Sequence, residues 1–242
     1  MGFLGELWHW FLSPANWHGT TGIPTLVVQH VLMSLAATLI AMAIALPIGV
    51  GLGHLGKGGL LAINVSNVGR AIPSFALMVF FVLIFGLGTA PTLIALVVLA
   101  VPPVITNAYQ GMRSVDRDLV DAARGLGMTE AQILWRVEFP IAIPVLMAGV
   151  RTAGVQVVAT ATLGAYVAWG GLGLLIEQGL NTATGYSELL GGAILVALLA
   201  GITEGLLALL QRLLTPAGLR KVSASRAAGA AEPSTSSGRL AA

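Results

Sequence analysis

No cysteine occurs in the chain, which excludes a disulfide framework, a thiolate metal site and a cysteine nucleophile. Charge is nearly as scarce. Asp, Glu, Lys and Arg make up 9% of the 242 residues, where a soluble globular domain carries about 25%. Aromatics amount to 6%, with only three tyrosines. The four histidines, His9, His18, His30 and His54, are scattered without metal-ligand spacing. Apolar residues do not alternate with polar ones, so the strands of a membrane barrel are not expected. What remains is hydrophobic: 56% of the residues, with a mean hydropathy of +0.89. A water-soluble core in a chain this size cannot absorb that much apolar surface. The composition indicates an integral membrane protein and argues against a soluble enzyme, a nucleic-acid binder or a disordered scaffold. Glycine is abundant, at 31 residues, which suits close helix packing and kinks in lipid.

A hydrocarbon core needs about 20 apolar residues per helix. Five stretches qualify: Leu26 to Leu52, Leu60 to Leu87 (broken by Arg70 and Pro73), Thr92 to Ala108, Ile141 to Val167, and Leu189 to Leu214. The expected fold is all-α and polytopic, with about five transmembrane helices. Basic residues favour the cytoplasmic side. Lys57, then Arg113, Arg117, Arg124 and Arg136, then Arg220, Lys221, Arg226 and Arg239 fall on one side of a five-span layout. The segment before the first span, the loop between spans two and three, and the segment 168–188 contain no Lys or Arg. The N-terminus is therefore expected outside and the C-terminus in the cytoplasm, in the plasma or inner membrane.

Three regions follow: an extracytoplasmic segment over 1–25, a transmembrane domain over 26–214, and a disordered cytoplasmic tail over 215–242. The first segment lacks a basic start and a small-residue cleavage site, so a secretory signal is not expected. Its Trp8, Trp10 and Trp17 suit an interfacial aromatic belt. The stretch Gly51–Lys57 fits both G-x-G-x-x-G and G-x-x-x-x-G-K, but Gly58 stands where a P-loop needs Ser or Thr, and no strand precedes it. It is a glycine-rich helix end, with Gly49 and Gly53 at close-packing spacing, and no nucleotide site is expected in this chain.

The segment from Arg113 to Phe139 concentrates charge: Arg113, Asp116, Arg117, Asp118, Asp121, Arg124, Glu130, Arg136 and Glu138. Asp116 or Asp118 can cap a helix whose Leu119, Ala122, Ala123 and Leu126 form one apolar stripe. Gly125 and Gly127 end it, and Thr129 can cap a second helix that turns Ile133 and Val137 inward. Such a helix–Gly–helix unit between two spans suits either docking to a partner or lying on lipid headgroups.

Asp121-Ala122-Ala123-Arg124-Gly125-Leu126-Gly127 and, nine residues on, Val137-Glu138-Phe139-Pro140 resemble the EAA loop of ABC importer permeases, E-A-A-x-x-x-G, nine residues, then I-x-L-P. Ala122, Ala123, Gly127 and Pro140 match; Asp121, Val137 and Phe139 replace Glu, Ile and Leu. The resemblance implies that the loop over 113–140 is a coupling helix seated on a separate ATPase, and that the fold is that of a type I ABC importer permease. Ala71-Ile72-Pro73-Ser74, Ala148 to Ala153 and Gly170 to Gly173 look like the glycine betaine/carnitine/choline permeases, which import compatible solutes. That likeness covers roughly residues 20 to 214 and departs at Trp169, where many members have a small residue. It implies ABC ATPase subunits, a second permease chain and an extracytoplasmic substrate-binding protein as partners. ATP and Mg would sit on the ATPase, and no cofactor, metal or catalytic residue is expected in this chain.

Ionisable groups inside spans are few: Arg70, Arg151 and Glu204. Each lies about 15 Å from the cytoplasmic end of its span. Glu204 is expected to pair with Arg151 or Arg70 as a brace, and two arginines disfavour direct contact with a cationic substrate. No aromatic cage for a quaternary ammonium group is evident. Asn64, Asn67, Ser74, Thr106, Asn107, Gln156, Thr160 and Thr162 are candidates to line a weak polar path, or to bond between helices. A permease for another solute such as methionine or an organic sulfonate is the near alternative. An ion-coupled secondary transporter and a membrane anchor are the more distant ones.

Overall fold

A computed structural model describes residues 2–60, 64, 67, 69, 71–182, 185–216 and 218. The expected tail over 215–242 and the position of Arg70 lie almost wholly outside these residues. All regular structure among the described residues is helical: α1 (Phe3–Leu12), α2 (Ile23–His54), α3 (Ser74–Phe85), α4 (Thr89–Arg113), α5 (Arg117–Gly125), α6 (Glu130–Ile133), α7 (Phe139–Ala161), α8 (Gly173–Asn181) and α9 (Tyr186–Leu214). Short 3₁₀ turns cover Pro14–Trp17 and Thr162–Val167, and a π turn covers Leu134–Glu138.

Four helical runs are long and apolar enough to cross a membrane: Ile23–His54, Thr89–Arg113, Glu130–Val167 and Tyr186–Leu214. The expected second span lies partly outside the described residues; its described part includes the 12-residue helix α3, which begins just after Pro73. Proline fixes φ and cannot donate a backbone hydrogen bond, and Pro73 sits at the cap of α3 in extended conformation (φ −63°, ψ 120°). The long helices also begin earlier than the hydrophobic runs suggest. Pro24 sets the first turn of α2, and polar Thr89 and Tyr186 open α4 and α9.

Burial separates inner from outer helices. About half of the most apolar window of α4 is buried (56%), against 6% for α9. Helix α4 is the centre, with α2 packed on one side, α7 on another and α3 beside it. Helix α9 lies outside α7 and α8, and α1 lies on α9. Alanines line the main seam: Ala37, Ala41 and Ala45 of α2 meet Ala95 and Ala100 of α4, with Ala153 and Ala161 of α7 in the same cluster. Lipid is as apolar as leucine, so helices in it gain from close backbone approach instead. Gly49 and Gly53 provide that approach. A Cβ on Gly49 would stand 2.6 Å from the Ala108 Cβ, and one on Gly53 would stand 2.5 Å from the Met112 Cβ.

Helix α1 was not evident from the sequence. Trp10 on it lies over Gly191 of α9, where a Cβ would stand 2.3 Å from the indole. Trp8 and Trp17 are exposed.

Candidate functional site

The charged loop occupies the end of the bundle where α2 and α4 finish and α7 begins. Asp116 caps α5, accepting from the Asp118 amide at 3.0 Å. Thr129 and Gln132 close a capping box on α6, each bonding the other's backbone amide at 3.3 and 2.9 Å. Between them Gly127 has φ +82°, a left-handed conformation that glycine adopts without strain.

The apolar face of α5 needs correction. Leu119, Ala122 and Leu126 point outward, and Leu126 is 84% exposed. Only Ala123 of the expected stripe is buried, together with Val115, Val120 and Ile133. The short helix has apolar residues on two sides. Val115 and Val120 meet the base of α7 through Ile133, with Val137 and Ile141 packed alongside, and this leaves the leucines outside. Trp135 also points outward. Arg124 joins the two helices, donating to Asp121 at 2.9 Å and to Glu130 at 2.8 and 3.2 Å. The hydrogen bonds it donates to the Glu130 carboxylate hold the Arg124 guanidinium above its ordinary pKa.

Helices α6 and α7 run on as one rod through the π turn. The Phe139 amide donates to the Leu134 carbonyl, five residues back. Pro140, which has no amide hydrogen, follows directly, and single π turns often mark functional places in helices. The turn buries Glu138 (1% exposed), where its carboxylate hydrogen-bonds His54 Nδ1 at the end of α2. Arg117 Nη1 lies 3.7 Å from the other carboxylate oxygen, and Glu130 lies 3.7 Å from His54 Nε2. The loop is thus tied to α2 as well as to α7. Nothing in the spacing of His54 and Glu138 marked this pair; an acid inside the Val137–Pro140 tetrad was the one available signal.

Deeper in the bundle, Arg151 of α7 donates to Glu204 of α9. Its other terminal nitrogen donates to Gln211 at 2.8 Å, and Gln211 donates to the Pro144 carbonyl at 2.9 Å. Arg151 and Glu204 border an open cavity of about 530 Å³ that Ala148, Thr152, Val155 and Gln156 also line. Of the candidate path residues, Gln156 is in this wall and Thr160 is one turn further along α7. Asn107 donates to Pro103 within α4 at 2.8 Å, and its side chain meets α7 at Gly149. Ser74 opens α3, Asn67 is exposed, and neither reaches the cavity.

At the opposite end, His30 is wholly buried in α2. Its Nε2 is 2.9 Å from the Val158 carbonyl, and its Nδ1 accepts from the Leu172 amide at 3.2 Å. A donor on one nitrogen and an acceptor on the other define a neutral imidazole. Beside it, Gln29 accepts from the Gly171 amide at 3.2 Å. Trp169 packs against His30 with ring centroids 6.0 Å apart and lies over the glycine turn, where a Cβ on Gly171 would stand 2.7 Å from the indole.

A long helical bundle with a charged helix–Gly–helix loop matches known transport proteins. Residues 43–217 match the family model of the binding-protein-dependent transport system inner membrane component. The chain belongs to that family. The match takes in the loop, the cavity and the α9 brace, and leaves α1 outside. The chain is 37% identical over 194 residues to the choline transport system permease protein OpuBB of Bacillus subtilis, covering 80% of this chain and 89% of that one. It is 40% identical over 193 residues to the carnitine transport permease protein OpuCB of Listeria monocytogenes, covering 80% and 88%. It is 31% identical to the osmoprotectant import permease protein OsmW of Salmonella typhimurium, covering 88% and 98%. Among solved structures, an inward-facing MetNI methionine ABC transporter superposes with a TM-score of 0.68 at 24% identity, covering 78% and 94%. An amino acid ABC transporter with histidines gives 0.65 at 18%, covering 88% and 98%. These two likenesses establish the type I ABC importer permease fold.

Proposed function

We propose that this transport component is the permease subunit of an ATP-driven importer of osmoprotectants, of the glycine betaine, choline and carnitine class. The observation that carries the reading is the outward apolar face of the loop. Leu119, Leu126 and Trp135 are 46%, 84% and 60% exposed, on a unit braced by Arg124–Glu130 and Glu138–His54. Exposed apolar side chains on a rigid charged frame suit a protein partner, and a cytoplasmic ABC ATPase is that partner. The names of the relatives support the class of cargo.

In this reading ATP and Mg bind on the ATPase, and this chain holds no cofactor of its own. Its N-terminus is outside and its C-terminus cytoplasmic. Motion at α5 and α6 passes into α7 because Glu130–Val167 is one continuous helical run. It reaches α2 through the buried Glu138–His54 bond. Two permease chains enclose the path, and an extracytoplasmic binding protein selects the solute.

The test is uptake of labelled glycine betaine, choline and carnitine in cells expressing the whole transporter, with wild type against Gly127→Asp. The expected result is wild-type uptake, and loss in a variant that still reaches the membrane. Normal uptake by the variant would overturn the loop's role, and wild-type uptake of none of the three would overturn the cargo class.

A further inference from the structure

We infer that the cavity between α7 and α9 is a transit subsite for a zwitterion, with Arg151 meeting its anionic end and Glu204 its cationic end. The inference rests on the osmoprotectant reading and adds a site to it. A charge pair in the middle of a membrane is costly, and such groups turn toward the bundle interior or a water-filled cavity. A plain brace would be sealed between its helices. This pair is not: the Arg151 and Glu204 side chains are 31% and 42% exposed, and both border the 530 Å³ space. That volume lies in the range of small-molecule sites, about 300–1,000 Å³.

The hydrogen bonds point the same way. Arg151 spends its two terminal nitrogens on Gln211 and Glu204. Its Nε is buried and has no hydrogen-bond partner, so the internal bonds leave the guanidinium one donor short, and an arriving carboxylate would compete for the two terminal nitrogens. Guanidinium groups bind carboxylates through paired parallel hydrogen bonds. Glu204 offers negative charge to a quaternary ammonium group, which has no N–H to donate. Among the described residues no aromatic lines the space, so the cation lacks the cage that would bind it tightly. Weak, net-neutral exchange suits passage: a zwitterion replaces the internal ion pair with two external ones, and no net charge enters the membrane. A simple cation such as choline engages Glu204 alone and strands Arg151.

The experiment uses the complete transporter, with its ATPase and binding protein, in proteoliposomes. Uptake of glycine betaine and choline is measured per assembled complex for wild type, Arg151→Gln and Glu204→Gln. The binding protein is unchanged, so a shift in the ratio belongs to the permease. The ratio of betaine to choline is expected to fall about tenfold in Arg151→Gln and to rise in Glu204→Gln, the scale of one charge-assisted hydrogen bond. Ratios that stay at the wild-type value, whether or not both rates fall together, reduce the pair to a brace and overturn the subsite. A wild type carrying choline alone also overturns it. If wild type carries betaine alone, Arg151→Gln is expected to lower uptake about tenfold while binding-protein stimulation of the ATPase persists. Loss of both in step, or of neither, overturns the subsite. Where wild type carries neither solute, the same Arg151→Gln comparison is made with carnitine, also a zwitterion; a wild type carrying none of the three overturns the cargo reading as well, which separates the two failures.

Discussion

His54, the last residue of α2, hydrogen-bonds through Nδ1 to the carboxylate of Glu138, which is 1% exposed beneath the charged loop. Two elements 84 residues apart in sequence are joined there by one buried contact. Removing one partner of a buried hydrogen bond leaves the other unsatisfied, at about 1–3 kcal/mol. His54→Ala is therefore expected to destabilise the purified chain by about 3 kcal/mol. Glu138→Gln keeps an acceptor for the histidine and should cost about 1 kcal/mol. Thermal unfolding in detergent orders the two variants, and equal losses would show that the contact contributes no more than its neighbours.

Glycine has two meanings in α2. Gly49 and Gly53 face α4 with no room for a Cβ, whereas a Cβ on Gly51 would meet nothing within 4 Å. Gly51→Ala should stabilise the helix by roughly 0.5–1 kcal/mol through lower chain entropy. Gly49→Ala should cost roughly 1–3 kcal/mol, since the Ala108 methyl and the Ile105 carbonyl must move. Opposite signs for two glycines two residues apart are the expected outcome of a thermal melt. Stabilisation by both would refute the close approach of α2 and α4.

Much of this arrangement was legible in the sequence. Hydrophobic runs near the length of a bilayer mark the long helices, since backbone groups in lipid must bond within their own segment. Counting depth from span ends brings Arg151 level with Glu204, because rise per residue is fixed, and the structure joins them. Caps at Asp116 and Thr129 follow from side-chain chemistry that acts over three residues. Tertiary choices were not legible. Helix α5 has two apolar sides, and only the packing of Val115 and Val120 against Ile133 decides that Leu126 faces out. His30 and His54 each look isolated in the chain, since their partners Leu172 and Glu138 are distant in sequence. Helix α1 forms where Trp10 finds Gly191, a surface that exists only after α9 is in place.

The outward leucine yields a prediction that separates folding from docking. Leu126 is 84% exposed and touches little of its own chain. Leu126→Glu should change chain stability by less than about 0.5 kcal/mol, as surface substitutions do. The same change places a charge in the apolar face offered to the ATPase. Co-purification of the ATPase with the permease is expected to fall sharply, with the melting temperature of the permease alone unmoved. Full co-purification would place the docking surface elsewhere.

His30 holds the far end of the bundle as Glu138 holds the loop end. It is 0% exposed and bridges the Val158 carbonyl and the Leu172 amide, which belong to α7 and to the turn before α8. Phenylalanine would fill the same space and leave both backbone groups buried without partners, at about 1–3 kcal/mol for each. Glutamine offers both a donor and an acceptor from one planar group and should recover part of that loss. His30→Phe is therefore expected to destabilise the chain by about 2–4 kcal/mol, with His30→Gln between it and wild type. Hydrogen exchange supplies the local readout. Amides of the turn at Gly171 and Leu172 should exchange faster in His30→Phe, while those of the α4 core, around Leu96 and Ala100, should not. If the turn stays protected in the phenylalanine variant, shape alone seats it, and the two hydrogen bonds of His30 are incidental to its order.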